Sequence, residues 1–105
     1  MLEFEALVKV AFADQGDLDG LRTVLRGIRE DAERRAARTA EYAEEGGPHP
    51  DRLPVIALTA RLLREQDAAL LRWAEWAEAE VARWDGVTPR TGARVPPDAF
   101  RDPAG

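Results

Sequence analysis

From Phe4 onward apolar residues recur at Leu7, Val8, Ala11 and Phe12, the i, i+3, i+4, i+7, i+8 spacing that lines one face of a helix. The pattern predicts a short helix over about residues 3–14, stopped at Gly16. Asp17 is placed to cap a second helix, because its carboxylate can accept an unpaired amide two or three residues on and faces the positive end of the helix dipole. There Leu18, Leu21, Leu25, Ile28 and Ala32 follow at alternating steps of three and four, the seam of a coiled coil or bundle helix. This second helix is expected over 18–45, about 42 Å of rod, ending where Gly46, Gly47 and Pro48 break the backbone.

A third helix is expected over 52–85, capped by Asp51 and tolerating Pro54 in its first turn, where amides lack helical partners. Its apolar stripe reads Val55, Ile56, Leu62, Leu63, Ala69, Leu70, Trp73, Trp76, Ala77, Val81 and Trp84, wide enough to touch more than one neighbour. Residues 86–105 carry Pro89, Pro96, Pro97 and Pro103 among three glycines and read as an extended or disordered tail, with Val95 and Phe100 as its anchors. The fold class is therefore all-α: a short helix, then a long antiparallel helical hairpin, in one domain over 1–85. Two rods this long exceed the radius of gyration of about 13 Å expected for a compact domain of this size. A second chain packed along the same stripes is the usual solution, with two-fold dimers the commonest form. On this reading the interface is built from Phe4, Leu7, Leu21, Leu25, Ile28, Leu62, Leu63 and Leu70.

Composition narrows the function more than the fold. The 105 residues are 45% hydrophobic and 33% charged, an ordinary globular mix without a membrane-spanning run. The absence of cysteine removes disulfides and thiolate metal sites. The first five residues lack the basic start and apolar run of a signal peptide, so the expected compartment is the cytoplasm. A net charge of -5 opposes the phosphate backbone, so no direct nucleic-acid contact by this chain is expected.

Candidate chemistry is sparse. His49, the single histidine, sits between two prolines in the predicted turn, with Glu44, Glu45 and Asp51 nearby; a loose Gly-Pro turn does not hold the fixed convergence a metal needs. There is no nucleophile motif and no glycine-rich phosphate loop, so no catalysis, no metal and no cofactor are expected. Arg22, Arg26 and Arg29, then Arg34, Arg35 and Arg38, could form an anion surface. Glu30 four before Arg34 and Asp31 four before Arg35 instead predict a solvated, ion-paired face. The tryptophans carry the most information. At about 100° per residue, Trp73 and Trp84 point nearly the same way, with Trp76 about 60° off. Three indoles on one face dominate a core or an interface, or stack on a flat ligand. Trp73, Trp76 and Trp84 are accordingly the candidate ligand-binding residues.

Taken in order, three segments carry a resemblance: Glu3-Phe4-Glu5-Ala6-Leu7-Val8-Lys9-Val10-Ala11-Phe12, Gly16-Asp17-Leu18-Asp19-Gly20-Leu21-Arg22-Thr23-Val24-Leu25, and Leu70-Leu71-Arg72-Trp73-Ala74-Glu75-Trp76-Ala77. Across residues 3 to about 85 the chain resembles the C-terminal domain of PadR-like transcriptional regulators. That resemblance implies a helical dimerisation domain that follows a DNA-reading winged helix-turn-helix. In multidrug-sensing members it implies flat aromatic compounds stacked against interface tryptophans. Trp73 or Trp76 takes the place of the family's late tryptophan. The winged helix is missing from these 105 residues, so the family's DNA-contacting residues have no positions here, and the chain is read as an excised domain or a stand-alone relative. The expected function is dimerisation and ligand sensing within such a regulator, without catalysis. The alternatives are a stand-alone binder of a planar aromatic compound, or a partner that titrates full-length regulators as mixed dimers.

Overall fold

Asp17 starts the first long helix as its residue type suggests: its Oδ1 accepts the Gly20 amide at 2.7 Å, and its carbonyl accepts the Leu21 amide. The computed structural model describes residues 4–45 and 50–101. Its elements are a short helix α1 (Phe4–Ala11), then α2 (Leu18–Glu45) and α3 (Leu53–Val81), with single 3-10 turns at Ala13–Gln15, Pro50–Arg52, Pro89–Thr91 and Pro97–Phe100. No strand occurs among the described residues. The chain is all-helical, as its composition of alanine, leucine, glutamate and arginine favours.

Helices α2 and α3 form an antiparallel hairpin, and α1 lies against α2. The α2 seam holds the core: Leu21, Leu25, Ile28 and Ala32 are all buried, Leu25 to 1% exposure. From α3 the buried partners are Ala74, Ala77 and Val81. Ala32 and Ala74 retain no accessible surface, and small side chains at these positions let the two rods approach closely. The seam of α3 follows steps of four and three through Ile56, Ala60, Leu63, Asp67, Leu70, Ala74, Ala77 and Val81, the same heptad rhythm as α2.

Leu21, Leu25 and Ile28, expected at a dimer interface, are consumed inside the single chain, where α3 covers them. Leu70 is half-buried in the same hairpin, while Leu7, Leu62 and Leu63 remain exposed. The side chain of Phe4 lies outside the described residues, as does His49. The molecule nevertheless stays elongated, with principal extents of 58 × 30 × 19 Å and a radius of gyration of 17.1 Å. A compact domain of this length has about 13 Å.

Helix ends also differ from expectation. Asp51 is exposed within the Pro50–Arg52 turn and makes no cap; α3 opens after Arg52 without a side-chain cap bond, and Pro54 occupies its first turn as expected. At the far end α3 closes at Val81, not Asp85. The Arg83 and Trp84 amides tighten onto the Glu80 and Val81 carbonyls three residues back, and Arg22 Nη2 reaches the Val81 and Trp84 carbonyls at 3.4 and 3.5 Å. A cation from α2 thus adds a second donor to the Val81 carbonyl and one to the Trp84 carbonyl at the end of α3. Beyond it, the described residues to 101 carry the two short turns Pro89–Thr91 and Pro97–Phe100.

Candidate functional site

Two features of the surface stand apart from ordinary solvated helix: an apolar cavity at the α1 end of the hairpin, and an uncovered apolar stripe along α3.

The cavity has a volume of about 370 Å³, inside the range of about 300–1,000 Å³ typical of small-molecule sites. Trp73, Trp76 and Trp84 all line it, so the structure brings together the three residues that their helical spacing singled out. Val10 and Ala13 close it from the α1 side, Leu25 and Val81 form its floor, and Val87 and Val95 complete it from the tail. Trp73 and Trp84 are half-buried against the core, whereas Trp76 is 41% exposed at the rim. The only ionisable side chains in the lining are acidic, Asp14 and Glu80. Glu80 is buried and ion-paired with Arg83, one turn on. Such a wall, with no basic side chain to pair an anion, suits a flat apolar molecule that is neutral or positively charged.

The stripe on α3 is distinct from its hairpin seam. Val55, Leu58, Leu62, Ala69 and Trp76 span about 60° of the helix circumference, displaced from the seam residues by one position. All are exposed, Leu58 to 75%. The single broad stripe read from sequence is therefore two stripes: one faces α2, the other faces outward. Leu7 and Val8 on α1 and Phe12 just after it are likewise exposed.

Four of the six arginines, Arg22, Arg29, Arg34 and Arg35, are held by carbonyls or carboxylates of the chain. Arg29 binds Glu78 across the hairpin at 2.7 Å and Glu33 within α2 at 2.8 Å. Its guanidinium is held above its ordinary pKa by the hydrogen bond to Glu33 first and then by that to Glu78. Arg34 pairs with Asp31 and Arg35 with Asp67, so the Glu30–Arg34 and Asp31–Arg35 pairs expected from spacing are replaced by others. The Arg35–Asp67 pair, at 3.0 Å, lies in the hairpin seam itself, with Asp67 only 7% exposed. Beside it runs a wider groove of about 520 Å³ toward the hairpin tip, lined by Tyr42, Ile56 and Leu63.

Sequence reasoning missed Asp67 and Glu80, buried carboxylates, and the fully buried Ala74. The first two follow the heptad rhythm or the cavity face, but a charged residue type masks that. It also assigned Phe100 an anchoring role, whereas Phe100 is 91% exposed; Val95 does line the cavity. Among the described residues no group of three or more His, Asp or Glu converges as a metal site would require, and no helix is long and apolar enough to cross a membrane.

No curated protein and no solved structure matched the chain. The model of one family, described as virulence activator alpha C-term, matches residues 4–82, from the first turn of α1 to the end of α3. The match covers the three helices that build the hairpin and the cavity floor, and the chain belongs to the virulence activator alpha C-terminal family.

Proposed function

We propose that this chain is the dimerisation and ligand-sensing part of a PadR-like transcriptional regulator and carries out no catalysis. The observation that carries the reading is the outward stripe Val55, Leu58, Leu62, Ala69 and Trp76, which no part of the described chain covers. A stripe of this kind on a helix of about 44 Å fits a second copy of the same helix, packed about a two-fold axis. The sequence resemblance and the family match to a virulence activator C-terminal domain support a regulatory role. The mechanism is geometric. A rigid helical dimer sets the separation of two DNA-reading domains, and half-sites lie about 34–36 Å apart on one face of the duplex. A ligand that changes how the hairpins dock changes that separation and hence operator affinity.

The stripe is tested by Leu58→Glu together with Leu62→Glu. Both side chains are exposed in the single chain, so the hairpin should fold with unchanged helicity while self-association is lost. A double variant that sediments as the wild type does removes the stripe from the interface.

A second reading is favoured by the three-tryptophan cavity: a slot for a planar apolar compound, neutral or cationic, as effector or as the chain's own ligand. Saturable quenching of tryptophan fluorescence by such compounds, lost in Trp73→Ala, is its signature. Failure of a panel of neutral and cationic planar dyes to quench would refute it.

A further inference from the structure

The family match ends at residue 82, but the cavity does not. Part of its lining comes from residues that follow α3. Trp84 and Val87 are half-buried and pack on the core cluster, and Val95 closes the outer side at 43% exposure.

The segment that delivers these side chains is held by its own bonds. The Trp84 indole Nε1 donates to the Arg94 carbonyl at 2.8 Å, which satisfies the polar edge of the ring. The Ala93 amide returns to the Thr88 carbonyl, and the Thr91 hydroxyl donates to the same carbonyl at 3.1 Å. Gly92 turns the chain at φ 103°, in the left-handed region that other residues rarely adopt. Gly86 passes so close to Thr91 that a Cβ at Gly86 would fall on the Thr91 side chain. Along this loop Val87 and Val95 face the cavity, whereas Arg90 and Arg94 are exposed.

We infer that residues 83–96 are a strap that completes the cavity as a binding site for a planar apolar compound without negative charge, so that one wall of the site lies outside the family's helical domain. This inference rests on the ligand reading given above. Three facts support a wall over a mere helix end: its apolar side chains converge on the cavity, its indole edge is satisfied within the strap, and two glycines fix its path. No basic side chain stands among the lining residues to pair an anion, which fits an occupant without negative charge. Removing one valine-sized wall element should weaken binding about tenfold.

The test uses the full chain and Nile red, a neutral planar dye, with dye emission and tryptophan quenching as readouts and helicity followed by circular dichroism. Wild type should bind saturably. Gly86→Ala, which displaces the strap at Thr91, should bind about tenfold more weakly at unchanged helicity. The double variant Val87→Ala with Val95→Ala should weaken binding at least as much, and Arg90→Ala should bind as wild type. If Gly86→Ala and the double valine variant bind as tightly as wild type, the strap is not part of the site, although the slot stands. If Gly86→Ala loses helicity, the valine variant alone decides. If wild type binds no dye, the ligand reading falls and this inference with it.

Discussion

Replacing Asp67 by leucine probes an ion pair built into the hairpin seam. Asp67 is 7% exposed, and its carboxylate accepts from Arg35 Nε at 3.0 Å, while the Arg35 side chain keeps a quarter of its surface exposed. Removing one member of a fully buried pair costs about 3–5 kcal/mol, because the other charge is left without a partner. Here the exposed part of the Arg35 side chain lets the guanidinium turn toward water, so the expected cost of Asp67→Leu falls to about 1–2 kcal/mol. Replacing both residues by leucine continues the apolar rhythm of Ile28, Ala32, Ala74 and Ala77 and should restore or exceed wild-type stability, since such exchanges are neutral or gain about 1–4 kcal/mol. Urea unfolding of the wild type, the two single variants and the double variant gives the full cycle. The double leucine variant should also lose pairing specificity, visible as a mixture of associated species, because a polar seam position sets register. If Asp67→Leu alone matches wild type within about 0.3–0.5 kcal/mol, the additivity limit, the pair contributes nothing and the reasoning fails.

Other substitutions test separate parts of the fold. Gly27 lies inside α2 with nothing within 4 Å of the position a Cβ would take, so Gly27→Ala should raise unfolding free energy by about 0.5–1 kcal/mol in the same urea assay. Leu25→Ala removes the most deeply buried large side chain and should cost about 2–5 kcal/mol, with loss of cooperative melting if the hairpin has no other core. Arg22→Ala removes the guanidinium that bridges the Val81 and Trp84 carbonyls and leaves Val81 only the Trp84 amide; hydrogen exchange should speed up at the amides of residues 82–84 while those of Leu25 and Ile28 stay protected.

Much of this architecture was legible in the residue pattern. The alternating steps from Leu18 to Ala32 marked a helix seam, Asp17 marked its start and Pro54 the first turn of α3. What periodicity does not state is whose surface a seam meets. Leu21, Leu25 and Ile28 read equally well as a dimer face, and only the close fit of Ala74, Ala77 and Val81 against them places them inside one chain. The seam also continues past Ala32 through Arg35 and Thr39, but polar residue types hide a rhythm that is conventionally read from apolar ones. On α3 two stripes one residue apart merge into one broad band in the sequence, which hides the outward stripe to which the exposed Leu58 belongs. The tryptophan site was half visible. Spacing put Trp73, Trp76 and Trp84 on one face, but the contributions of Val87 and Val95 depend on a proline- and glycine-rich loop whose path is fixed by the contact of Gly86 with Thr91 and by the left-handed turn at Gly92. Such contacts leave no periodic trace.

The division of labour between the two stripes of α3 explains the elongated shape. From Asp67 to Val81 the inner stripe is covered by α2, and burial of a leucine or valine there stabilises the hairpin by about 1.5–3 kcal/mol. The outer stripe gains nothing comparable in an isolated chain. Contiguous exposed apolar surface of this kind marks an interaction face in soluble proteins.

The most direct measurement is therefore the mass of the wild-type chain in solution, by sedimentation equilibrium over a wide concentration range. The outward stripe of α3 should hold the chain as a dimer at twice the 11.6 kDa chain mass, dissociating only on dilution. A species of 11.6 kDa at every concentration would contradict it.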